Sequence, residues 1–320
     1  MYSVPCCAFP GVNDSPALKK AAIGVAMGLN GSDVAREAAE IVLLDDNFAS
    51  IVVGIKEGRL LFSNLKKSVA YTLAHLVPQV LPVLLWAFVG IPQPMAPLLA
   101  LCIDLLTELV PATSLAYEEP EALIMQVPPR NVKTDKLTSM SLLFYAYGQS
   151  GLVLTGGCLL VYFTTFQHYG VSASDIFNNN YKSFTGTDNN EDYINANGEI
   201  IDSDQQNYIL NVIQGSWFLM IVCGQAAHIW ICRTTTVSIF THGVFSNSTT
   251  NFGVVVALLL GCFVAYTPGL QGIVGSANPI SENILYGSLL VSGILWIWSE
   301  GRKYYSRRYP GSTVDKIFGW

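Results

Sequence analysis

YTLAHLVPQVLPVLLWAFVGI, residues 71–91, decides how the rest of the chain is read. A helix needs about 20 mostly apolar residues to cross the hydrocarbon core of a bilayer, and this stretch supplies them. Yet it carries His75 and Gln79, and it places Pro78 and Pro82 four residues apart. Each proline lacks an N–H and leaves the carbonyl four residues earlier, here those of Ala74 and Pro78, without a helical partner. Hydrocarbon offers no water to those carbonyls, so something else must satisfy them. The stretch reads as a membrane helix that breaks its own ladder and sets polar groups beside the break.

The totals agree with a membrane protein. Of 320 residues, 51% are hydrophobic and only 12% charged, with a mean hydropathy of +0.40. A soluble domain carries about twice that charge. The net charge of −6 gives no basis for a nucleic-acid partner. Cys102, Cys158, Cys223 and Cys262 lie in apolar runs and Cys232 ends one, so no disulfide framework is expected. The start, MYSVPCCAFPG, lacks the basic residues and long apolar run of a signal peptide.

Six spans are expected, at roughly 68–90, 95–116, 141–166, 209–232, 250–268 and 282–299. Both chain ends then share one side of the membrane. Of the 17 Lys and Arg residues, 16 fall on that side; Lys182 alone falls on the other. The positive-inside rule puts both ends in the cytoplasm and the acidic 167–208 loop outside. The sequon Asn247-Ser248-Thr249 is then cytoplasmic and not expected to carry glycan.

Residues 1–55 read differently, as soluble α/β. Ser15-Pro16 looks like a cap followed by proline in a first helical turn, and ALKKA continues that helix. IGVAM and IVLL read as strands around the short helix SDVAREAAE, the alternation of a parallel sheet. From Ser50 a helical pattern runs through a stalk at 56–67 into the membrane domain, 68–320.

The second span holds the other unusual polar groups. Asp104, Thr107, Glu108 and Pro111 recur at the spacing of one helix face. A carboxylate placed mid-span costs about 2.5–3.5 kcal/mol on insertion scales. Two on one face point to a ligand. In the first span Tyr71, His75, Pro78, Gln79 and Pro82 also share a face. A desolvated cation between the freed carbonyls, Gln79, Asp104 and Glu108 meets both costs at once, as in transporters built on discontinuous helices. His75 alone reads more readily as a helix–helix hydrogen bond than as a cation ligand. The oxygen donors suit a hard or alkali cation, and Cys102 offers no paired thiolate for a soft one.

GVNDSPALKKA (11–21), GSDVAREAAEIVLLDDNFASI (31–51), CIDLLTELVPATSLAYE (102–118) and PRNVKTDKL (129–137) resemble the P-type ATPases. Within these the match is to the catalytic α subunit of the Na⁺/K⁺- and H⁺/K⁺-exchanging pumps. It extends nearly over the whole chain, to RRYPG at 307–311. The resemblance implies that residues 1–55 are the end of a haloacid-dehalogenase-like phosphorylation domain. Asn13 and Asp14 would lie by Mg²⁺ and the phosphorylated aspartate of an ATP-driven cycle, with Asp14 a metal ligand. It also implies a cation site formed by Tyr71, Ala74, His75, Pro78, Gln79, Asp104, Thr107, Glu108 and Gln225. Na⁺, K⁺ or H⁺ would be the transported ions in a plasma-membrane pump surrounded by lipid.

The chain departs from the family pattern at several points. Pro10 stands where the family has an Mg²⁺-ligating Asp, and DKTGT, the nucleotide and actuator domains and four spans are absent. The chain therefore reads as the C-terminal part of a pump, needing the remaining N-terminal domains and unable to hydrolyse ATP by itself. The sodium pumps carry Glu at the position of Gln79, Ser-Asn at His75-Leu76, and Asp at Glu108 and His228. Glu108 matches the proton pumps, which also place a basic residue at His75. FGVVVALLL in the fifth span lacks the family's glutamates. Na⁺/K⁺ exchange is the default expectation. H⁺/K⁺-like exchange, altered stoichiometry, or a non-catalytic pump-like protein are the alternatives. DSDQQNY (202–208) stands where a β subunit would bind.

Overall fold

The computed structural model describes residues 6–9, 11–121, 124–126, 135–178, 183–186, 191–195, 198–312 and 318–320. Pro10, Arg130, Lys133, Lys182, Asp188, Lys316 and most of PRNVKTDKL lie outside the described residues. The chain divides into two compact units, Met1–Ser63 with Ala122–Leu137, and Asn64–Glu121 with Thr138–Trp320.

In the first unit three parallel strands, β1 (Cys6–Phe9), β2 (Ile23–Met27) and β3 (Ile41–Leu43), lie side by side in that order. Parallel strands need crossover connections, and α1 (Ser15–Lys20) and α2 (Asp33–Ala38) provide them. Successive side chains of a strand face opposite sides. Ala26 accordingly packs with Leu18, Ala35 and Ala38, while Val25 and Met27 pack with Leu43 and Ile51. β1 is an addition to the sequence reading, which found no strand signal in CCAF. The expected cap is corrected as well. Asp14, not Ser15, is the N-cap of α1, with Pro16 in the first turn. The Asp14 carboxylate turns back to accept from the Gly11 N–H at 3.1 Å, leaving the helix N–H groups alone.

Among the described residues, six helices are long and apolar enough to cross a membrane. They are Phe48–Val89, Pro97–Tyr117, Met140–His168, Ser203–Cys232, Ser248–Tyr266 and Ser281–Arg308. The first contains α3 (Phe48–Ala74), which is continuous through the expected stalk, and α4 (Leu76–Leu84), with His75 between them. The fourth is the hub of the second unit. Its apolar window is 89% buried against 28% for the sixth, so the outer helices keep apolar flanks for lipid. Close helix approach there depends on small residues. A Cβ on Gly157 would lie 2.2 Å from Val291 and 2.8 Å from Met220.

Polar side chains knot one end of this unit together. Glu118 and Arg233, both buried, pair through two bonds of 2.8 and 2.9 Å. Asn247 Nδ2 donates to the same carboxylate at 2.8 Å, and His242 Nε2 lies 2.9 Å away. Burial works against a charged Glu118, but Arg233, Asn247 and His242 outweigh it and hold the carboxyl below its usual range. Asn247 Oδ1 also caps the fifth helix by accepting from the N–H groups of Thr249 and Thr250. The sequon's amide is thus committed to structure at both ends.

Candidate functional site

Two helix irregularities meet in the second unit. The first is the break at His75. Gln79 N–H still bonds to the His75 carbonyl at 3.2 Å, but Pro78 and Pro82 offer no N–H to Ala74 and Pro78. The second is a π turn over Ile103–Thr107, closed by the Glu108 N–H bonding to the Ile103 carbonyl at 3.0 Å. Such turns recur at functional sites. The π turn takes up an extra residue, so Asp104 and Glu108 are not presented equally as a straight helix would present them. Asp104 is 45% exposed, whereas Glu108 is 6% exposed.

His75 lies between them. Its Nε2 is 3.0 Å from Asp104 Oδ1, and its Nδ1 is 2.5 Å from Glu108 Oε2 in a close contact not aligned as a hydrogen bond. Gln79 Nε2 donates to Asp104 Oδ1 at 3.2 Å and to the Ala100 carbonyl at 3.1 Å. One ligand atom each from His75, Asp104 and Glu108 falls within 4.8 Å of the others, close enough to hold an ion together. Neither Glu108 oxygen has an aligned hydrogen-bond donor among the described residues. The cluster therefore combines two carboxylates and an imidazole, with the Gln79 amide N–H turned to Asp104, a set suited to a hard cation or a proton.

Tyr71, Thr107 and Gln225 form a neighbouring group. With Glu108 and Pro111 they line a small enclosed cavity whose free space, about 10 Å³, is that of roughly one water centre. Thr107 Oγ1 is spent on the Ile103 carbonyl at 3.1 Å. Gln225 Oε1 lies 3.2 Å from His228 Nδ1, and its buried Nε2 has no donor–acceptor partner among the described residues. His228 is stacked between the rings of Tyr71 and Tyr145, with centroids 6.0 and 6.1 Å away.

The two freed carbonyls fare differently from the sequence expectation that both face a cation. Pro78 O accepts from the indole Nε1–H of Trp217 at 2.9 Å. Ala74 O lies against Gly151, where an added Cβ would stand 3.0 Å from it. Neither Trp217 nor Gly151 figured in the sequence reading. A tryptophan deep in an apolar span needs a partner for its N–H, and that need was the available signal. Asn13 and Asp14 belong to the first unit, in a single turn (Val12–Asp14) between β1 and α1.

Residues 92–305 match the family model described as cation transporting ATPase, C-terminus. The chain belongs to the cation-transporting ATPase family. It is 42% identical over 309 residues to the sodium/potassium-transporting ATPase subunit alpha-B of Artemia franciscana, covering 96% of this chain and 30% of that protein. It is 41% identical over 306 residues to subunit alpha-4 of Rattus norvegicus, covering 96% and 29%. Against subunit alpha-2 of Homo sapiens it is 42% identical over 306 residues, covering 96% and 30%. The chain thus spans about 30% of the length of these relatives and corresponds to their C-terminal transmembrane part.

Proposed function

We propose that this chain forms the transport half of an ATP-driven P-type pump for monovalent cations, binding them beside the break of the first span. The observation that carries the reading is the convergence of Asp104, Glu108, His75 and Gln79 where a proline break faces a π turn. The cation site draws on Tyr71, Ala74, Thr107 and Gln225 as well. The half-exposed Asp104 is the face that the remaining N-terminal part of the pump would cover.

Residues 1–55 are read as the end of the phosphorylation domain, 56–67 as a stalk and 68–320 as the transport domain. Asp14 and the amide oxygen of Asn13 are hard donors suited to Mg²⁺, with its other ligands coming from elsewhere in the pump. That ion, when bound, would neutralise charge on a transferring phosphoryl group; one Asp14 oxygen accepts from the Gly11 N–H, and a carboxylate has lone pairs to spare for a metal. Cytoplasmic chain ends belong to the proposal, supported by the one-sided distribution of Lys and Arg; the plasma membrane and a β subunit at 202–208 belong to it through the family resemblance alone.

One observation favours the H⁺/K⁺-like or reduced-stoichiometry alternative over plain Na⁺/K⁺ exchange. Both nitrogens of His75 face carboxylates, so the imidazole occupies ground a second cation would use.

In the full-length protein, Asp104→Asn should lower cation-stimulated ATP hydrolysis more than about tenfold, the loss of a charged ligand pair. Membrane insertion should be unchanged. Normal transport after Asp104→Asn with Glu108→Gln would overturn the site.

A further inference from the structure

The Pro78 carbonyl is left without a helical donor because Pro82 follows it by four. A carbonyl stranded in a bundle core recruits the nearest donor or cation. Here the donor is Trp217, from the middle of the fourth span, at 2.9 Å, and the contact is fully buried. An indole has a single N–H and no acceptor, and it does not titrate. The bond to Pro78 therefore has no titrating group at either end.

The indole is itself held in place. Its ring meets Tyr162 edge to face with centroids 6.0 Å apart, and the Tyr162 hydroxyl donates to the Pro92 carbonyl at 2.9 Å. One turn before Trp217, Gln214 Nε2 donates to the Gln93 carbonyl at 3.2 Å. Three side chains of the third and fourth spans thus grip backbone carbonyls at the start of α4 and in the connection that follows it. Gln79, the residue after Pro78, reaches Asp104. Anchoring the Pro78 peptide therefore fixes where the Gln79 amide can point.

We propose that Trp217 is the positioning residue of the broken helix: it takes the place at the Pro78 carbonyl that a cation would otherwise take. Cation binding then draws on Asp104, Glu108 and Gln79 without that carbonyl. The inference rests on the cation-site reading above and assigns it a built-in limit on the number of oxygen ligands.

The test uses the full chain in lipid nanodiscs, its melting temperature titrated with KCl or NaCl against choline chloride at matched ionic strength. A ligand that binds only the folded state raises that temperature. Trp217→Phe keeps the ring and removes the donor, freeing the carbonyl for K⁺ or Na⁺. Half-saturation should fall roughly threefold to tenfold, the factor set by one hydrogen bond's net worth. Tyr162→Phe also loses one buried hydrogen bond and should lower stability with no change in half-saturation. In the unmutated chain, the chemical shift of the Trp217 indole N–H should be the same with or without K⁺. An unchanged half-saturation in Trp217→Phe, an equal shift in Tyr162→Phe, or a K⁺-dependent indole N–H chemical shift would each overturn the inference while leaving the site intact. If Asp104→Asn responds to K⁺ as the unmutated chain does, the cation-site reading falls, and this inference with it.

Discussion

The Nδ1 nitrogen of His75 lies 2.5 Å from Oε2 of Glu108, and the opposite ring nitrogen faces Asp104 at 3.0 Å. A doubly protonated imidazole has two N–H groups for two carboxylates and carries one positive charge. At such separations in a poorly screened interior, a resident charge competes strongly with a mobile one. Under the proposed cation site, a protonated His75 would do part of the work of a bound cation.

Replacing His75 with Ser and Gln79 with Glu together should open that ground. The expected outcome is about one to two additional Rb⁺ bound per chain at saturation, since losing a protonated imidazole and gaining a carboxylate makes the site more negative by two charges. In the full-length protein the charge moved per ATP should rise. Identical stoichiometry in both forms across pH 6 to 8 would make His75 a packing residue only.

Glu118 and Arg233 form the buried pair whose loss should be felt most. Glu118→Ala leaves the guanidinium buried without its carboxylate, at a cost of about 3–5 kcal/mol. The exposed Asp33–Arg36 pair offers the contrast: Asp33→Ala should cost about 1 kcal/mol or less. Denaturant or thermal unfolding of the two variants separates the cases.

The same carboxylate sets a pH dependence. Its folded value is held below that of the unfolded chain, so the unfolded state binds the proton first as pH falls. The stability it contributes is fully present above the unfolded value, about 4.3, and is lost as pH drops through the lower folded one. Glu118→Gln should therefore flatten the acid limb of the melting curve and leave its slope above pH 6 unchanged. An acid limb of the same steepness would contradict this.

Gly151 is where the third span touches the break. An added methyl would meet Val77 Cγ2 at 2.7 Å, the Ala146 carbonyl at 2.8 Å and the Ala74 carbonyl at 3.0 Å. Gly151→Ala should destabilise by about 1–3 kcal/mol through overpacking. Gly156→Ala, with nothing within 4 Å, should be neutral or mildly stabilising by helix propensity. Equal melting temperatures for the two variants would show that the third span does not clamp the break.

The six spans, their approximate ends and the polar residues on the first two were legible in the sequence. Apolar length, proline spacing and the cost of a carboxylate in hydrocarbon are properties of a local stretch, whatever packs against it. IGVAM and IVLL announced β2 and β3 in the same way through their β-branched residues, whereas CCAF has none and shows β1 only beside the neighbour it pairs with.

Which partner each polar group takes was decided only by tertiary structure. Pro78 and Trp217 are 139 residues apart, and no periodicity links them. The seat of His75 between Asp104 and Glu108 depends on a π turn, which gives up regular i→i−4 bonding where packing demands it. Proline spacing determined that carbonyls would be stranded. The packing of the third and fourth spans against the break decided that one of them meets an indole, because a buried polar group takes the donor that three-dimensional proximity supplies.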